Sequence, residues 1–139
     1  MCNCCESGIY IGNDGINADV AIGGFVPFGD PTWRYGNAIK VRDNSIVLCG
    51  ANKAFEIEGT LTIEAASAGP LTVTVLQDGV PVPGGVFTIA VAGTSAQTLL
   101  PIRTVVKNEC KCSSTITFQV SQLAVTIDAE SLEVKTWGC

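Results

Sequence analysis

The chain of 139 residues contains no histidine. Imidazole is the commonest general base and a frequent metal ligand near neutral pH, so its absence excludes ordinary Ser-His and Cys-His catalysis. Charge is scarce as well: 15% of residues are charged, and 13 acidic against 8 basic side chains leave a net charge of −5. The basic residues are scattered, and a phosphate backbone would be repelled, so nucleic acid is not an expected partner. No apolar run approaches the roughly 20 residues a bilayer-crossing helix needs, and no membrane partner is expected. Residues 1–20 hold no Lys or Arg and no sustained apolar block, which is unlike a secretory signal peptide. Glycines form no dinucleotide or phosphate-loop string. Asp14, Asp19, Asp30 and Asp43 lie among glycines and asparagines without calcium-loop spacing. No catalytic residue, cofactor or metal ion is expected.

What the sequence does have is alternation. Phe55, Ile57, Leu61, Ile63 and Ala65 occupy odd positions, while Glu56, Glu58, Thr60, Thr62 and Glu64 occupy even ones. That period of two is what a strand with one buried face requires, and no helix separates those sets. The pattern resumes at Leu71, Val73 and Val75, and again at Phe87, Ile89 and Val91. Gly69-Pro70, Asp78-Gly79 and Val80 to Gly85 supply the reversals, so residues 55–91 read as an antiparallel meander. Glu56, Glu58 and Glu64 then lie on the polar face of one strand, where solvated glutamates belong, rather than forming a glycosidase pair.

Ala38 to Val41 and Ser45 to Cys49 read as short strands joined by Arg42-Asp43-Asn44. Leu99 to Ile102 is a strand interrupted by Pro101, which points to an edge or a bulge. Ile116, Phe118 and Val120 alternate with polar residues, Ala124 to Ile127 makes a partner, and Leu132 and Val134 alternate to the end. Counted from Ala38, eight to ten short strands are expected, in an all-β sandwich or barrel. Apolar residues at 47% with so little charge favour self-association.

Residues 1–37 are richer in turns: Asn13-Asp14-Gly15, Gly23-Gly24 and Gly29-Asp30-Pro31 punctuate short apolar pieces. They read as an extended N-terminal arm with brief strands, followed by the sandwich over 38–139. Phe25, Phe28, Trp33 and Tyr35 carry most of the large aromatic surface of this half. They either fold back on the sandwich or anchor the arm to a neighbouring subunit. Arg34, Lys40, Arg42 and Lys53 are a solvated surface or face an acidic partner.

Seven cysteines are many for this length: Cys2, Cys4, Cys5, Cys49, Cys110, Cys112 and Cys139. An odd count leaves at least one thiol free or bonded to another molecule. Intramolecular or intersubunit disulfides, free thiols, and a four-thiolate zinc site joining Cys110 and Cys112 to the N-terminal cluster are all open. The last lacks the usual Cys-x-x-Cys spacing. Many cysteines without a leader fit a protein made in a reducing cytoplasm that meets oxidant only on cell lysis.

Leu71-Thr72-Val73-Thr74-Val75-Leu76-Gln77-Asp78-Gly79, Leu99-Leu100-Pro101-Ile102, Ser114 to Phe118 and Ser131 to Val134 resemble the compact jelly rolls of the TNF/C1q-like type. These occur at the ends of bacteriophage fibres and on exosporium filaments. The resemblance spans roughly Ala38 to Trp137. It implies an antiparallel jelly-roll β-sandwich, assembly as a homotrimer and no enzymatic activity. A second resemblance, carried by Cys2, Cys4, Cys5, Cys49, Gly59-Thr60-Leu61 and Gly69 to Val73, is to endospore appendage subunits, whose arms cross-link to neighbours. The expected role is therefore structural. One form is a capsid decoration or head-fibre trimer on the virion surface, its arm on a capsid or fibre protein. The alternatives are a disulfide-linked fibre subunit on the spore surface and a module binding a glycan or receptor through its loops.

Overall fold

The computed structural model describes residues 6–93, 96–109 and 112–136. They form ten strands: β1 (Ser7–Val20), β2 (Trp33–Tyr35), β3 (Ile39–Arg42), β4 (Ser45–Cys49), β5 (Ala54–Glu64), β6 (Gly69–Gln77), β7 (Val80–Val91), β8 (Thr98–Lys107), β9 (Ser113–Ser121) and β10 (Val125–Thr136). Two five-stranded antiparallel sheets result, one ordered β2-β1-β10-β5-β8 and the other β3-β4-β9-β6-β7. They pack face to face as a jelly-roll sandwich.

The alternating residues place themselves as their period requires. Phe55, Ile57, Leu61, Ile63, Leu71, Val73 and Val75 are fully buried, and one apolar cluster draws on every strand except β2. Burying each such side chain contributes roughly 1.5–3 kcal/mol before chain entropy opposes it. Asp78 and Gly79 have φ of 51° and 82°. Two successive positive angles make the two-residue hairpin turn that matches strand twist. Eight strands follow Ala38, and β8, with Pro101 in it, is the open edge of its sheet, where a residue without an N–H is tolerated.

Two expectations need correction. β6 and β7 form a hairpin, but β5 pairs with β10 and β8 and lies in the other sheet. The stretch from Ala65 to Ala68 thus carries the chain across the sandwich, and residues 55–91 are not a meander. Alternation reports that one face is buried; it carries no information about which strand lies alongside. The boundary at residue 37 also does not divide the described packing. Ser7–Val20 is a 14-residue strand hydrogen-bonded between β10 and β2. Ile9, Ile11, Val20, Val26 and Phe28 belong to the common core. Irregularity hid this strand, because its pairing with β10 slips between Asp14 and Ala18, where Gly15 and Asn17 take positive φ.

Candidate functional site

The solvent face of the first sheet is the most differentiated surface of the molecule. Cross-strand partners share a face, so the register sets its rows. One row runs Tyr35, Gly8, Lys135, Glu56, Val105, and the next runs Trp33, Tyr10, Glu133, Glu58, Arg103.

At the β2 edge three aromatic rings form a stack. Trp33 lies between Tyr10, at 6.2 Å between ring centroids, and Tyr35, at 5.7 Å. Glycines beneath make room: a Cβ on Gly8 would come within 2.8 Å of the Tyr35 ring, and one on Gly12 within 2.7 Å of Tyr10. The Tyr10 hydroxyl hydrogen-bonds Ser131 Oγ at 3.1 Å, which fixes that ring over the sheet. Yet Trp33 and Tyr35 keep 47% and 44% of their surface in water.

The centre of the face is polar. Lys135 Nζ lies 3.1 Å from Glu133 Oε1 and 3.8 Å from Glu56 Oε1, and Arg103 lies 3.8 Å from Glu58. The hydrogen bond that Lys135 donates to Glu133 raises the Lys135 pKa. Glu56 and Glu58 are thus matched across strands to Lys135 of β10 and Arg103 of β8. Glu64 differs: its hydrogen bond with Asp128, then burial, raises its pKa, and Gln97 Nε2 donates to Asp128 Oδ2 at 3.1 Å.

At the opposite edge, β8 presents Leu99 and Val105, 64% and 57% exposed, on either side of Pro101. One sheet face therefore carries an aromatic patch at one edge, a salt-linked middle, and at the other edge the aliphatic side chains of Leu99, Pro101 and Val105, interrupted by Arg103.

Of the four aromatic residues expected as contacts, Trp33 and Tyr35 come together here. Phe25 is half-exposed beside Gln119 on the other sheet. Phe28 belongs to this subunit's own core, its ring edge-on to Phe118 at 5.1 Å. Cys49 and Cys112 are free thiols at one end of the second sheet, where Gly50 N donates to Cys112 O at 2.9 Å. Cys2, Cys4, Cys5, Cys110 and Cys139 lie outside the described residues. Among the described residues no group of acidic or sulfur ligands is arranged to hold a metal ion.

Sequence reasoning missed Tyr10, Asn108 and Glu130. Tyr10 had a signal, as it alternates with Ile9 and Ile11 between two glycines. Asn108 is fully buried just after β8 and had none.

No family model and no curated protein matches the chain. Solved structures do resemble it. Murine APRIL at pH 8.5 superposes with a TM-score of 0.70 at 10% identity, over 94% of this chain and 98% of that one. The PRD1 vertex protein P5 gives 0.59 at 11% identity, over 96% and 97%. The globular domain of the zebrafish complement 1qA protein gives 0.58 at 8%, over 95% of each chain. The fold is therefore the TNF/C1q-like jelly roll.

Proposed function

We propose that this chain is a non-enzymatic structural protein that assembles as a homotrimer through the outer face of its first sheet and decorates a virion surface. The observation that carries this reading is the presence of two different apolar patches at opposite edges of one sheet face. Unlike patches can meet reciprocally across a two-fold axis or head-to-tail in a contact that closes into a ring, and the resemblance to TNF/C1q-like jelly rolls favours the ring. The Leu99–Val105 strip of one subunit lies against the Tyr10, Trp33 and Tyr35 rings of the next, and each central ion pair is already satisfied within its own subunit. The count of three follows from the resemblance to TNF/C1q-like jelly rolls. The virion setting is supported by the likeness to the PRD1 vertex protein P5. The N-terminal residues with Cys2, Cys4 and Cys5 then serve as the anchor to a capsid or fibre protein. Native mass spectrometry tests the assembly: a discrete trimer is expected, and a monomer at micromolar concentration rules it out.

A second reading, a disulfide-linked extracellular fibre, is favoured by the accessible thiol of Cys112 beside Cys49. It predicts a ladder on non-reducing electrophoresis that collapses on reduction.

A further inference from the structure

Glu130 on β10 is 2% exposed, and in register it lies between Leu61 of β5 and Asn13 of β1. Its Oε1 accepts a 2.6 Å hydrogen bond from the amide of Gly29, while its Oε2 is buried without a partner. Gly29 belongs to the connection between β1 and β2. Upstream, Gly23 and Val26 donate to carbonyls of β9 and Phe28 donates to Asp43 O; downstream, Thr32 N donates to Tyr10 O. Between those anchorages the side chain of Glu130 holds Gly29.

We propose that Glu130 is a protonation-controlled latch that fastens Gly29–Pro31, and with it β2, to the body of the sandwich. A neutral carboxyl keeps its carbonyl oxygen on the Gly29 amide and carries no charge into the interior. A carboxylate keeps that bond but leaves a buried charge with one bare oxygen, which costs several kcal/mol unless water reaches it. Opening the Gly29–Pro31 stretch admits that water.

Among the described residues no neighbouring cation relieves the charge. Asp14 on β1, Asp30 beside Gly29 and Asp43 in the β3–β4 turn are exposed acids, Asp128 is engaged by Gln97 and Glu64, and Leu61 opposite is apolar. Among the described residues no Lys or Arg pairs with Glu130. Burial raises its pKa to about 7 against the lowering effect of the Gly29 amide. The closed form thus holds its proton more tightly than the open form. Its advantage is full below about 4.5, declines as pH rises from there to about 7, and levels off above.

The test is amide hydrogen exchange of peptides covering residues 29–35, corrected for the intrinsic pH dependence of exchange. The wild type should open roughly ten- to fortyfold more at pH 7 than at pH 5, with a plateau above. Glu130→Gln, which keeps an oxygen for Gly29 and cannot ionise, should show no such rise. A flat wild-type profile, or a variant that follows the wild type, overturns the latch. Should the variant fail to fold, the wild-type Gly29 amide resonance decides: it should titrate with a midpoint near 7, and a constant shift from pH 5 to pH 8 refutes the proposal. Because Trp33 and Tyr35 lie at the proposed subunit interface, exchange is compared at one fixed oligomeric state across the pH range.

Discussion

Tyr10 and Trp33 lie directly opposite one another on β1 and β2, their rings 23° from parallel, and Tyr35 continues the stack at 14°. Such a surface is rigid before anything docks on it, so little side-chain entropy is lost on binding. Exposed aromatics of this kind dominate interface energetics. Trp33→Ala should therefore weaken subunit association by about 2 kcal/mol or more, leaving monomers with an unchanged far-ultraviolet spectrum. Sedimentation velocity across a concentration series checks it, and a trimer of undiminished stability would remove the patch from the interface.

The opposite edge should behave as the complementary half. Leu99→Asp replaces the most exposed apolar side chain of that edge with a charge and should also give folded monomers. The informative experiment mixes the two variants. In a head-to-tail ring, the Leu99→Asp subunit keeps its aromatic patch and the Trp33→Ala subunit keeps its strip, so the mixture has one intact interface. Heterodimers should appear where neither variant alone associates. Formation of full trimers, or of nothing, would contradict a head-to-tail arrangement.

Much of this scaffold was readable from the chain, and the failures share a cause. Strict alternation from Phe55 to Ala65 placed every inner residue correctly, and Pro101 announced an edge. Pairing partners were unreadable, since strands in both sheets show the same apolar rhythm. Slips in phase were harder still. In β10 the buried residues fall at Val125 and Ile127, then at Glu130, Leu132, Val134 and Thr136, because a bulge between Ile127 and Ala129, which also buries Asp128, changes the parity. Read as two short strands, the segment loses Glu130. Read as one strand that slips, it puts a carboxylate in the interior. The strand around Pro101 was legible, but the exposure of Leu99 and Val105 was not read from it, and their relation to Trp33 depends on three intervening strands that no local pattern specifies.

Glu64 and Asp128 should make stability depend on pH. Their mutual hydrogen bond needs one proton, and Glu64 holds its proton above the ordinary carboxylate value of 4.5. The folded chain binds that proton more tightly than the unfolded one, so this contribution is full below 4.5 and is lost as pH rises through the raised value. Glu64→Gln donates to Asp128 at every pH and removes the repulsion. The variant should melt higher than the wild type at pH 8 and close to it at pH 4, as read by thermal denaturation at both. An equal difference at the two pH values would show that the pair does not share a proton.

Asn108 tests what closes the other end of the sandwich. Its side-chain amide donates to Leu48 O at 3.0 Å and Gly50 O at 3.1 Å, and its Oδ1 accepts from Ser114 Oγ and from Gln77 Nε2. Its backbone donates to Lys53 O and accepts from Asn52 N. One residue thereby ties β8 to the ends of β4, β6 and β9, across both sheets. Asn108→Ala strips partners from two carbonyls and two side chains in an interior where water cannot replace them. It should cost about 2–4 kcal/mol in denaturant unfolding. Asn108→Asp keeps the acceptor but loses both donors and adds a charge, so it should cost at least as much. Retention of wild-type stability in both variants would mean that water already serves those carbonyls and that the sheets are held together by their apolar faces alone.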